Sequence, residues 1–169
     1  MSQSPAADPL GAALRAAVAE AEQFVDAAGW NTPRQLFALV RTDELLAHEP
    51  GLIGQIGPGD DDGDGTGGAG VTPPEYTSIE QGQLPGETVA DALATIAWPD
   101  EIAGCILVLE IMVDSGDALA EGRMAVGVMR DRAGGACALR WRHAPHGPVT
   151  YSPDLAPDLI TALHATFEP

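Results

Sequence analysis

The chain has 169 residues, of which 45% are hydrophobic, so there is enough of it to build one domain with a real core. Its 25 acidic residues outnumber eight basic ones, all arginine, for a formal net charge of −17. That charge is repelled by nucleic acid and by anionic membrane surfaces, and both are excluded as partner classes.

The N-terminus, Met1-Ser2-Gln3-Ser4-Pro5, has no basic stretch followed by an apolar one. The longest apolar run, Cys105 to Val113, is nine residues and contains Glu110, far short of a membrane span. These features predict a cytoplasmic protein with no membrane insertion, and free buried thiols at Cys105 and Cys137 rather than a disulfide. Lysine-free, Ala-, Gly- and Pro-rich composition points to a GC-rich source genome.

Asp8-Pro9 is an acidic cap followed by proline at the first helical position. Leu10, Leu14, Val18, Ala21, Val25 and Ala28 then recur at helical spacing, which predicts a helix over about 9–28 that stops at Gly29. Glu20, Glu22 and Asp26 make its acidic face. Trp30-Asn31-Thr32-Pro33 reads as a turn and Leu36–Val40 as a buried strand. Thr42 caps a short helix, with Asp43 and Glu44 in its first turn, that ends by Pro50.

The next stretch, about 54–74, looks at first like a calcium loop. With Asp60 at position 1 of an EF-hand loop, Asp62 and Asp64 fall at positions 3 and 5, and Gly65 supplies the required glycine. The second half fails, because Val71 stands where a bidentate glutamate is needed. The glycine-rich flank after Gly51 cannot form the helix such a loop requires. Six glycines and four aspartates between Gly59 and Gly70 bury almost nothing, so the stretch is expected to be a flexible insert. Asp60, Asp62 and Asp64 are at most weak cation candidates, and no metal or other cofactor is expected.

Thr77–Gln81 is a short strand by this reading, and Thr88–Ala97 a helix stopped by Trp98-Pro99. Strands then cluster. Gly104–Asp114 is the strongest, suited to the centre of a sheet. Arg123–Arg130 and Cys137–His143 flank the turn-rich Asp131-Arg132-Ala133-Gly134-Gly135 and read as a hairpin. In its second arm Cys137, Leu139 and Trp141 alternate with Ala138, Arg140 and Arg142, predicting one core face and one solvent face. A last helix, about 153–167, buries Leu155, Leu159, Leu163 and Phe167. Consecutive strands without intervening helices predict an α+β fold: one domain over residues 1–169, with a mainly antiparallel sheet of four to five strands and helices packed on one face.

Three stretches carry a resemblance. They are Trp30 through Leu36–Val40 to Glu49-Pro50-Gly51-Leu52; Ile96–Glu101 with Gly104-Cys105 and Glu110; and Val126–Asp131 with Cys137–Arg140. Together they resemble a conserved, uncharacterised family of actinobacterial cytoplasmic proteins of about this length. The resemblance implies a single cytoplasmic domain and assigns no catalytic residue.

Chemical motifs are few. There is no Gly-x-Ser-x-Gly elbow, and no Gly-x-Gly-x-x-Gly between a strand and a helix. His143 and His146 fall short of the ligand count of a zinc site. Charge is uneven: residues 1–101 carry a net −14 and residues 102–169 a net −3, with five arginines between 122 and 146. Glu110 in the middle of an apolar strand needs a partner, and Arg130, Arg140 and Arg142 are the candidates. These four residues are the expected interface or anion-binding site on an exposed sheet face. The favoured function is a non-catalytic interaction protein, adaptor- or chaperone-like, docking a partner protein or forming a homodimer. The alternative is a small-molecule-binding protein or an enzyme of unknown class.

Overall fold

The structure is a computed structural model describing residues 9–48, 76–84, 87–114, 116, 118–144 and 146–168. The elements in chain order are α1 (Pro9–Asp26), β1 (Gln35–Arg41), α2 (Thr42–His48), β2 (Tyr76–Gln83), α3 (Val89–Leu93), β3 (Gly104–Asp114), β4 (Leu119–Met129), β5 (Gly135–Trp141), β6 (Thr150–Ser152) and α4 (Pro157–Ala165). The fold is α+β. The six strands form one sheet in the order β2-β1-β3-β4-β5-β6, every pair antiparallel.

Two expectations are corrected. The sheet has six strands rather than four to five, because a short sixth strand pairs Thr150–Ser152 with Cys137–Leu139. Three residues following a proline-rich stretch show no alternation that a sequence reading can detect. The helices also pack on both faces of the sheet, not on one.

Strand alternation shows why. Phe37, Leu39, Ile106, Val108, Ala125 and Ala138 point to one side and pack on Leu14, Val18, Ala21 and Val25 of α1. Leu36, Cys105, Leu107, Val126, Val128, Cys137 and Leu139 point to the other and pack on Leu93 of α3 and on Ile160 and Leu163 of α4. A central strand buried on both faces reads as the continuous apolar run seen in β3.

The expected stripe of α1 holds at Leu14, Val18, Ala21 and Val25, all buried. Small residues beneath it let the helix approach closely. A Cβ on Gly127 of β4 would lie 2.6 Å from Val18 Cγ2 and 3.0 Å from Leu14 Cδ1. Several boundaries also shift, among them the second hairpin arm, which is Gly135–Trp141 rather than Cys137–His143. The last helix starts at Pro157 rather than at about 153, with proline in its first turn. The helix expected over Thr88–Ala97 is Val89–Leu93, capped by the Thr88 hydroxyl, which accepts from Asp91 N–H at 3.1 Å. β4 begins four residues before the expected Arg123.

Beyond the sheet proper, β3 and β4 continue as a two-stranded ribbon. Pairing with β1 stops at Val108, and pairing with β5 stops at Gly122, whereas β3 and β4 stay paired as far as Asp114 and Leu119.

Candidate interaction site

The α1 face of the sheet carries a row of charge where the apolar core ends. Glu110 of β3 stands in register with Arg123 of β4, and Arg123 in register with Arg140 of β5. Two arginines directly opposite one another repel unless acids neutralise them. The acids come from α1, where Val18, Glu22 and Asp26 succeed one another at intervals of four and share the sheet-facing side.

Arg140 donates from Nε and Nη2 to the Glu22 carboxylate, and its Nε lies 3.7 Å from Asp26 Oδ1. The hydrogen bond to Glu22 holds the Arg140 guanidinium more firmly protonated than usual. Arg123 donates from Nη1 to Asp26 Oδ1 at 2.7 Å and from Nη2 to the Gly29 carbonyl. That carbonyl lies just past the C-terminus of α1, the negative end of the helix dipole. Arg123 is 0% exposed and Glu22 1%, so this is a buried ion-pair network. Arg123 Nε has no hydrogen-bond partner among the described residues.

The chain leaving α1 caps the row. Gly29 has φ +89°, a conformation that glycine adopts without strain, and Asn31 follows at φ +62°. Trp30 is thereby laid against the arginines: the Arg123 guanidinium carbon sits 4.4 Å from the ring centroid and that of Arg142 5.5 Å. Arg142 also donates to Asn31 Oδ1 and to Glu121 Oε2, both at 2.9 Å. The Glu110 carboxylate accepts from the N–H groups of Asn31 (3.1 Å) and Thr32 (2.7 Å) and from the Thr32 hydroxyl (3.2 Å).

Of the four expected site residues, the structure gathers Glu110, Arg140 and Arg142 in one cluster and sends Arg130 elsewhere. Arg130 donates to the carbonyls of Ile102 (3.0 Å) and Pro99 (2.6 Å) and lies 4.9 Å from the Phe167 ring centroid, beside α4. The partner expected for Glu110 is corrected too: its carboxylate accepts from the 31–32 backbone and the Thr32 hydroxyl rather than from an arginine. The face holding Arg140 was expected to be solvated, but it is covered by α1. Glu22, read as part of the acidic face of α1, is buried for the same reason. Arg123, Glu22, Asp26 and Trp30, with Asn31, Thr32 and Glu121, are the members that sequence reasoning missed. The available signal was the spacing of four from Val18 to Glu22 to Asp26, opposite an arginine alternating with Ala138.

Asp60, Asp62 and Asp64, and the insert expected at about 54–74, lie outside the described residues. Among the described residues no group of three or more His, Cys, Asp or Glu is placed to hold a metal ion. His143 lies 5.7 Å from the Trp141 ring. Both cysteines are buried and free; burial pushes the Cys105 thiol up to about 12 and raises that of Cys137. Among the described residues no helix is long and apolar enough to cross a membrane.

Next to the cluster, on its α1 side, the ribbon presents large apolar groups. Met112 pairs with Glu121 and Leu119 with Asp114, so both project from the same face as Glu110. Met112 is 59% exposed and Leu119 65%. On the reverse face Ile111 packs on the second core cluster.

No curated protein and no solved structure matches the chain. A family model described as PPA1309-like protein matches residues 14–121. The match runs from α1 to the second residue before Arg123. It takes in Glu22, Asp26, Trp30, Glu110 and Glu121 and leaves the three clustered arginines beyond its end. Since it spans well over half of the sequence, the chain belongs to the PPA1309-like protein family.

Proposed function

We propose that this is a non-catalytic, cytoplasmic interaction protein that docks a partner protein at the β3–β4 ribbon. The observation behind the reading is the pair Met112 and Leu119, two large apolar side chains on a ribbon that outruns its neighbours on both sides. Exposed apolar groups of this size on a paired ribbon suit a partner strand, which adds main-chain hydrogen bonds at an edge while its side chains cover the patch. The buried charge cluster supports the docking surface mechanically, since it pins α1, the 29–32 turn and Arg142 to the base of the ribbon. A net charge of −17 favours a neutral or basic partner segment over a second copy of the chain.

The test is affinity capture with the intact protein and with Met112→Glu and Leu119→Glu, alongside the solution mass. A partner retained by the native protein and lost by both variants is expected. A protein that stays monomeric at high concentration and captures nothing, or variants that capture as well as the native protein, would remove this function.

A further inference from the structure

The β3–β4 ribbon constrains its occupant by register as well as by apolarity. β4 has little edge to offer. Arg142 N–H donates to the Glu121 carbonyl at 2.9 Å, and only Leu119 and Ala120 lie beyond it. On β3, the Asn31 and Thr32 N–H groups meet the Glu110 side chain. Past them, no described strand pairs with Ile111–Asp114 on the side away from β4. Along this edge Met112 and Asp114 project to the α1 face and are exposed, while Ile111 and Val113 project to the reverse face and are partly buried. Charge here is acidic. Glu121, opposite Met112, is neutralised by Arg142. Asp114 has no ion pair among the described residues: its Oδ1 accepts from Gly116 N–H at 2.9 Å, a neutral donor that leaves the negative charge in place. Asp117, outside the described residues, is also an acid.

Resting on the reading of the ribbon as the docking site, we propose that its occupant is a basic β-segment of a partner protein, added to the β3 edge at Ile111–Asp114. It sets an apolar side chain beside Met112 and, two residues away, a lysine or arginine beside Asp114. Side chains directly opposite one another in paired strands share a face, and alternate residues line that face. The apolar–acidic spacing of Met112 and Asp114 is therefore matched by an apolar–basic spacing of two in the partner, and opposite-charge pairs across strands are favourable. A one-residue slip would send the basic side chain to the other face, so the spacing also fixes the register. A second copy presenting the same edge would bring another Asp114 and no cation, since β3 has no basic residue.

The experiment is an NMR titration of the intact, isotope-labelled protein with end-capped octapeptides, at low and at high salt. The first probe alternates leucine and lysine along one face, with threonine between them. A second replaces lysine with serine and a third with glutamate. In a fourth, leucine and lysine are neighbours and fall on opposite faces. The protein variants are Met112→Glu, Asp114→Asn and Glu80→Gln. Asp114→Asn removes the charge and keeps an acceptor for Gly116 N–H, and Glu80, exposed on the far edge strand β2, is the control. Circular dichroism establishes that each variant is folded. The first probe is expected to bind most tightly and to shift the amides of Ile111–Asp114. Its binding should be lost in Met112→Glu, about threefold weaker in Asp114→Asn and at high salt, and unchanged in Glu80→Gln. If the serine, glutamate or opposite-face probe binds as tightly as the first, or Asp114→Asn binds the first undiminished, while Met112→Glu still abolishes binding, the basic partner is overturned and the docking site stands. Binding of no probe, or binding indifferent to Met112→Glu, would overturn both.

Discussion

Replacing Arg123 with methionine keeps most of the side chain's volume and deletes its charge. The Asp26 carboxylate then loses its 2.7 Å partner, the Gly29 carbonyl loses its donor and Trp30 loses the nearer of its two cations. A charged hydrogen bond is worth about 1.5–3 kcal/mol, and removing one partner of a buried ion pair costs about 3–5 kcal/mol. Asp26 is 34% exposed at its side chain, so water partly rehydrates the orphaned carboxylate and lowers the cost. Burying methionine in place of a guanidinium also relieves desolvation, including that of the unpartnered Nε. The net expectation is a loss of roughly 2–4 kcal/mol. In urea, with a slope of about 1–3 kcal/mol/M, the midpoint falls by roughly 1–2 M at unchanged slope. A cycle adding Asp26→Asn should show a coupling of about 1 kcal/mol or more, little affected by salt because Arg123 is buried. A loss below about 0.5 kcal/mol, which is the scale of a surface substitution, would refute the claim that this arginine anchors α1.

Two further outcomes test the packing. Gly127→Ala forces a methyl into Val18 and Leu14, so the thermal midpoint should fall, in line with an overpacking cost of about 1–3 kcal/mol; an unchanged midpoint would mean that α1 lies farther from β4. Cys105 tests burial through pH. Its thiol is raised from 9.0 to about 12. Below pH 9 the thiol is protonated in both folded and unfolded chains, and its contribution is fully present. Above that pH the unfolded chain ionises first, so stability is lost as pH rises toward about 12, at about 1.4 kcal/mol per pH unit. The native protein should therefore lose stability relative to Cys105→Ala between pH 9 and 11, measured by urea unfolding. A pH-independent difference would place the thiol in contact with water.

Local patterns in the chain determined most of the elements. The spacing of Leu14, Val18, Ala21 and Val25 specified α1, and the long apolar run specified β3 as a central strand, because 3.6- and two-residue periodicities are properties of a single segment. Several limits were less legible. β6 is three residues long, and the end of the helix expected over Thr88–Ala97 depends on what packs against it. The charged residues were visible, but their roles were not. Arg130, Arg140 and Arg142 are equivalent in sequence as strand-end arginines, yet the first bonds to carbonyls beside α4 and the others join the cluster at the end of α1. An ion pair forms between groups more than ninety residues apart only after strand register and helix placement set them face to face. Only the tertiary structure decided that α1 lies over the arginine face, which turned an expected solvent surface into a buried network and left exposed the ribbon end holding Met112 and Leu119. The physical reason is that burial belongs to the assembled layers: a side chain's own neighbours in sequence say which face it points to, and not what covers that face.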